Sequence, residues 1–123
     1  MVQPAQEGPP FDANFYQEVL PQRVATECQG RPGAIPVVNL YLSNGRMLDL
    51  CHIPHLADRW FAAQHFRDSE TCADMDVAFV PYGLVMLVTV SLHNPASRKI
   101  GFNMSSREQG AEQPADPKPA QAV

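Results

Sequence analysis

The chain has 123 residues, a formal net charge of −4, nine Lys and Arg against thirteen Asp and Glu, and three cysteines. This length corresponds to one small domain. Nucleic-acid binding normally depends on a positive patch that neutralises phosphates, so the charge balance disfavours that class of function. The odd, unpatterned cysteines predict reduced thiols in a cytoplasmic protein, and no secretory leader is recognisable at the N-terminus.

The two ends of the sequence differ in composition from its middle. Residues 1–10 and 105–123 are rich in Pro, Gln, Ala and charge, and they have almost no large apolar side chain. Such segments cannot bury enough apolar surface to offset the entropy lost on ordering, so the sequence predicts flexible tails. One β-rich domain is left at residues 11–104, close to the size at which oligomerisation aids stability.

The first predicted element is a short helix over residues 11–20. Asp12 is placed to cap its free amide groups, and its apolar side chains form one stripe that must lie against the rest of the fold. Pro21 either ends this helix or starts a second turn. Two glycines and two prolines in residues 29–36 then predict a loop.

The clearest local pattern is a β-hairpin. Strand-forming runs at residues 37–42 and 46–53 flank a Ser-Asn-Gly turn at residues 43–45, which suits a tight connection because Asn and Gly tolerate positive φ. The pattern predicts one shared apolar face made of Val38, Leu40, Leu42, Leu48 and Leu50. Tyr41 and Asp49 are predicted to face outward or toward a partner.

Residues 54–66 allow two interpretations. As a helix, the large apolar residues recur near helical spacing, and two alanines favour the helix by propensity. As a strand, Ala57 and Asp58 turn the chain so that residues 60–66 pair back on the hairpin. The sequence leaves this choice open.

The longest apolar run covers residues 77–92, and it is too short and too interrupted to span a membrane. Pro81 and Gly83 divide it into two pieces. Residues 84–88 are apolar on both strand faces, which predicts that another layer of the chain or a neighbouring subunit covers each face. Residues 98–104 are then predicted to form a short last strand or a sheet edge.

This order of elements resembles the Sm-like small β-barrel family, particularly its bacterial Hfq-like branch. The resemblance rests on the strand and turn at residues 38–45, on Asp58 and Trp60 at the start of a third strand, and on the mixed apolar run at residues 79–90. It implies a small, strongly bent antiparallel sheet with an N-terminal helix, and an oligomer joined edge to edge by its last strands. The Lys-His pair with which the Hfq-like branch binds uridine-rich RNA is replaced here by Pro and Tyr at residues 81–82.

Two sets of side chains are candidates for function. The residues predicted to contact a partner or RNA are Tyr41, Asn44, Arg46, Trp60, Phe79, Tyr82 and Met86. No metal site is predicted, because the potential ligands have irregular spacing and include no C-x-x-C or H-x-x-x-H pair. The potential ligands, which are only weak candidates for a metal site, are Cys51, His52, His55, His65 and Cys72.

The sequence therefore predicts a mainly β fold, with an α+β fold containing a helix at residues 54–66 as the alternative. The expected function is a non-enzymatic, homo-oligomeric binding or assembly module that acts through protein–protein contacts and has no cofactor. Single-stranded RNA binding is the second expectation. A small metal- or thiol-dependent enzyme centred on Cys51, His52 and His55 is the third.

Overall fold

The computed structural model describes residues 8–103, so most of both predicted tails lies outside the described residues. The elements are a π-helical turn (Phe15–Val19), helix α1 (Leu20–Gly30), strands β1 (Ile35–Leu42), β2 (Met47–Leu56), β3 (Trp60–Phe66) and β4 (Met75–Pro81), a 3-10 turn (Tyr82–Leu84) and strand β5 (Val85–His93). The strands form one antiparallel sheet in the order β4-β3-β2-β1-β5. The predicted mainly β fold with an N-terminal helix is confirmed. Within residues 8–103, no helix has the length and apolar character needed to cross a membrane.

The N-terminal helix is longer than the sequence predicted. Asp12 Oδ1 accepts a hydrogen bond from the Phe15 amide at 3.0 Å, which confirms the predicted cap. Pro21 starts a second segment instead of ending the helix. Because proline has no N–H and its ring clashes with the carbonyl four residues earlier, a regular α-helical path is disfavoured here. A π-helical turn precedes Pro21 and accommodates the proline ring. In this turn the Leu20 amide donates a hydrogen bond to Phe15 O.

The hairpin forms as predicted, with Val38 opposite Leu50 and Leu40 opposite Leu48. The predicted apolar face of the hairpin is buried in the larger of two hydrophobic clusters, which we call the main core. This core also contains side chains from the helix and from the other strands. In the turn, Gly45 has a φ of 92° and donates its N–H to Leu42 O at 3.0 Å. Asn44 does not adopt positive φ, so glycine alone supplies the left-handed residue of this turn.

The helical alternative for residues 54–66 is wrong. Pro54 lies in β2, the chain turns at residues 57–59, and β3 pairs with β2 on one side and β4 on the other. Alanine favours a helix in isolation by only a few tenths of a kcal/mol over most residues. Two flanking strands give residues 60–66 a complete set of backbone partners, and this long-range pairing outweighs the local preference.

The apolar run divides at Pro81 and Gly83 as predicted, into β4, the 3-10 turn and β5. Its alternation differs from the prediction because a β-bulge interrupts β5: Tyr41 pairs with Leu87 but Leu42 pairs with Val85. Both Val85 and Val88 therefore pack with the core. The Leu87 side chain, next to the bulge, is exposed.

The predicted last strand at residues 98–104 does not form in the part of the chain that the structure describes. Residues 98–103 instead cross the strands as an irregular segment, which we call the C-terminal crossing. The Phe102 amide donates to Pro36 O at 2.7 Å, and the Asn103 amide donates to Cys51 O at 2.6 Å. Phe102 is buried in the main core, so this segment is fastened at both β1 and β2.

Candidate functional site

The two edges of the sheet are open in residues 8–103. β4 pairs only with β3, and β5 pairs only with β1, so each edge strand has one row of backbone groups without a strand partner. Native sheets usually protect such edges with lysine, proline or inward charges. β5 contains no charged residue and no proline, while β4 has Asp76 and the terminal Pro81. β5 therefore lacks these protective residues, whereas β4 has two of them.

Aromatic side chains gather on the outer face beside the β4 edge. The Trp60 and Phe79 rings are 5.6 Å apart at an interplanar angle of 78°, and His55 lies 5.5 Å from Trp60 on the other side. Val77 extends the same exposed face along β4. We call these four residues the outer aromatic patch. Aromatic side chains in an exposed apolar group are typical of contact surfaces.

A second exposed apolar group lies near the β5 edge. Met47, Tyr41 and Leu87 form a row across three strands, because Tyr41 pairs with Met47 on one side and with Leu87 on the other. Met86, in the bulge, is next to Leu87 and has 65 % of its surface exposed. We call these four residues the hairpin patch.

The predicted contact residues therefore separate into different environments. Trp60 and Phe79 belong to the outer aromatic patch, whereas Tyr41 and Met86 belong to the hairpin patch. Tyr82 is buried between Tyr16 and Phe61, so the structure assigns it a packing position and not one on the surface. Its hydroxyl donates to Ala57 O at 2.7 Å, and burial raises its pKa, with the charges of Asp12 and Asp58 adding to the effect.

Asn44 and Arg46 lie in the exposed hairpin turn. The Arg46 amide donates to the Asn44 side-chain oxygen at 3.0 Å, which holds the turn in place. This use of Asn44 is local, since a short polar side chain that bonds two residues ahead stabilises a turn. The Arg46 side chain is exposed.

A buried ion pair on the outer face was not predicted from the sequence. Asp49 and Arg98 are both almost fully buried, and the Arg98 guanidinium donates from Nη2 to Asp49 Oδ1 at 2.8 Å. Arg98 Nε also donates to Ile100 O, and the Ser69 hydroxyl donates to the second Asp49 oxygen at 2.6 Å. Burial lowers the pKa of Arg98, but the hydrogen bond and the charge of Asp49 more than offset this, so the net shift is upward.

This ion pair joins three segments that are distant in sequence: β2, the loop after β3 and the C-terminal crossing. The Arg98 guanidinium also lies over the Phe66 ring, 5.3 Å from its centroid. Asp49 lies outside the main core, but the prediction that it faces outward or toward a partner is wrong, because its own chain covers it. The sequence offered no signal for this pair, because its members are 49 positions apart.

The cysteine and histidine candidates do not converge. No group of three or more potential ligands that could hold a metal is found within residues 8–103. Cys51 and Cys72 share a small buried cluster with Phe66, while His55 lies beside Trp60. Burial raises the pKa of the Cys51 thiol, with Asp49 and Cys72 adding to the effect. Burial lowers the pKa of His52. These directions favour the neutral forms and disfavour a thiolate nucleophile.

The environment of Cys51 gives a direct chemical prediction. In the folded protein at pH 8, we expect iodoacetamide to alkylate Cys51 at least about tenfold more slowly than Cys28, because the thiolate is the reactive form and Cys51 is buried with a raised pKa. Peptide mapping by mass spectrometry after timed quenching measures both rates. Unfolding in urea is the control and should make the rates similar. Preferential alkylation of Cys51 in the folded state would contradict this account of the site.

Comparison of the chain with protein-family models, with curated proteins and with solved structures finds no match.

Proposed function

We propose that this protein is a non-enzymatic, Sm-like oligomeric binding or assembly module that acts through protein–protein contacts. One observation carries the proposal. Among the described residues, the two most exposed large apolar side chains are Phe79, at 70 %, and Met86, at 65 %. They lie on β4 and β5, which are the two open edges of the sheet.

The position of the edges favours assembly of identical copies. β4 and β5 lie at opposite ends of the sheet, so β4 of one copy pairs with β5 of the next in a head-to-tail contact, which generates a ring if the rotation closes. The resemblance to the Sm-like family implies an oligomer joined by its last strands, and β4 and β5 are the last strands of this fold. Edge pairing satisfies the open backbone groups and buries apolar side chains at the same time.

The most exposed large side chains on the two edge strands are apolar, and burial raises the pKa of the Cys51 thiol. The proposal therefore assigns binding to surfaces that the oligomer presents. The outer aromatic patch and the hairpin patch are the two surfaces available for that role.

The experiment is a measurement of mass in solution. We expect native mass spectrometry and sedimentation velocity to give a multiple of the 13.6 kDa chain. Met86→Lys should weaken the assembly by about 100-fold or more, because a lysine in an edge strand opposes strand addition and its charge would be desolvated in the contact. Val19→Lys is the matched control, since Val19 is an exposed apolar residue on the helical segment and not on an edge.

Two outcomes would count against the proposal. A strictly monomeric wild-type chain at high concentration would remove the assembly. Equal weakening by Met86→Lys and Val19→Lys would remove the role of the β5 edge. The same spectra also report bound RNA as additional mass that is lost as salt rises.

A further inference from the structure

Two irregularities of the backbone bring cysteine side chains into one buried cluster. The first is a β-bulge in β2, where the pairing register with β3 shifts between Leu50 and His52. Cys51 lies between these two residues. A bulge changes the direction of a side chain relative to the regular alternation of a strand. Cys51 accordingly packs with Phe66 and Cys72 and is not part of the main core.

The second irregularity is at Cys72, in the loop after β3. Residues 67–74 are exposed, except for Cys72, which is buried. Within residues 8–103, Cys72 is the only non-glycine residue with a positive φ, at 53°. This left-handed conformation is sterically unfavourable for a side chain with a Cβ, so it persists only where the surroundings hold it. The strained bend turns one thiol of an exposed loop inward.

Hydrogen bonds hold Cys72 in this position. Its amide donates to Asp68 O at 2.8 Å, and its thiol donates to Ser69 O at 3.4 Å. The Ser69 hydroxyl in turn donates to Asp49, the buried partner of Arg98. The loop is therefore attached to β2 through side chains on either side of the bend.

The two thiols are near neighbours. Cys51 and Cys72 are only 9 % and 8 % exposed, and Phe66 is the third member of their cluster. Burial raises the pKa of the Cys51 thiol, and Cys72 is close enough to add to this increase after Asp49. When one sulfur of such a pair is oxidised, the other is the thiol closest to it. Cys28 lies on α1, outside this cluster.

From this arrangement we infer that Cys51 and Cys72 are a redox pair, which hydrogen peroxide converts into an intramolecular disulfide that ties the loop after β3 to β2. The reaction starts at Cys72, because opening the exposed loop uncovers that thiol while the main core stays intact. The bond then fixes the loop in its closed position. The inference does not depend on assembly through the edges.

The reaction has two steps. In the first, the Cys72 sulfur attacks the peroxide, becomes a sulfenic acid and releases one molecule of water. In the second, the Cys51 sulfur attacks the sulfenic sulfur, so that the S–S bond forms and a second molecule of water leaves. The two thiols lose two electrons and the peroxide accepts both. A dithiol reductant reverses the change by thiol–disulfide exchange.

The test identifies which cysteines become linked in the folded, full-length chain. The protein is treated with hydrogen peroxide, the reaction is stopped with catalase, and the remaining thiols are blocked with N-ethylmaleimide in urea. Trypsin digestion without reductant cuts after Arg59 and Arg67, so the expected product is peptide 47–59 linked to peptide 68–98. We expect this pair to exceed any pair containing Cys28 by at least about tenfold, and dithiothreitol should release it.

Oxidation of the chain unfolded in urea is the matched control. Cys28 and Cys72 lie 23 and 21 positions from Cys51 in the sequence, so chain closure alone gives nearly equal amounts of the two pairs. In a second control, Cys51→Ser should leave the Cys72 sulfenic acid without its partner, and oxidation should continue to the sulfinic acid. The inference is overturned if the folded chain gives no linked 47–59 and 68–98 peptides, or if it pairs Cys28 with Cys51 as readily.

Discussion

Asp49→Ala is expected to lower the free energy of unfolding by about 3–5 kcal/mol, which is a large part of the stability of a domain this size. The loss arises because Arg98 is almost fully buried and Asp49 is its charged partner. Removing the carboxylate leaves a guanidinium in a poorly solvated position and also leaves the Ser69 hydroxyl without its acceptor. Urea-induced unfolding followed by circular dichroism measures the change as a lower midpoint.

Two comparisons show whether burial is the cause. Asp76→Ala removes a carboxylate from a 2.8 Å contact with Arg67 that lies at the surface, and we expect a far smaller change there, since water solvates the arginine that is left. The double variant Asp49→Leu, Arg98→Met should recover much of the stability lost in Asp49→Ala, because it removes both charges from the buried site. Similar losses for Asp49→Ala and Asp76→Ala would contradict this explanation.

Gly101→Ala is expected to cost about 2–4 kcal/mol of unfolding free energy. A Cβ atom at position 101 would overlap the carbonyl oxygen of Pro36, and the side chain of Ile35 is also close. That oxygen accepts the Phe102 amide, so neither backbone can move away without breaking a hydrogen bond and withdrawing Phe102 from the core. The C-terminal crossing should therefore detach from β1.

Gly83→Ala is the matched control for this prediction. A Cβ at Gly83 meets no atom within 4 Å, and its φ is not positive, so we expect a change below about 1 kcal/mol. Hydrogen exchange at the Phe102 and Asn103 amides gives a local readout, and it should become much faster in Gly101→Ala only. An unchanged unfolding midpoint for Gly101→Ala would mean that the crossing is not fastened as the structure shows.

The sequence by itself determined the hairpin and the position of its core. Alternating apolar residues around a Ser-Asn-Gly turn specify which face is buried, because a shift of one residue would turn every side chain to the other face. The division of the apolar run at Pro81 and Gly83 was also predictable, since these residues interrupt strands locally. Tyr41, Trp60, Phe79 and Met86 could be singled out as large apolar side chains, and all four are exposed. Tyr82 was singled out in the same way, but it is buried.

Only the tertiary structure decided the rest. Residues 60–66 are a strand because β2 and β4 supply backbone partners on both sides. The sequence of residues 60–66 alone carries no information about these partners. The bulge at Met86 shifts the alternation of buried and exposed side chains along β5 by one residue. The Leu87 side chain is therefore exposed. The Asp49–Arg98 pair depends on the path of the C-terminal crossing. In each case the deciding energy comes from contacts between residues distant in sequence, which propensity and periodicity do not record.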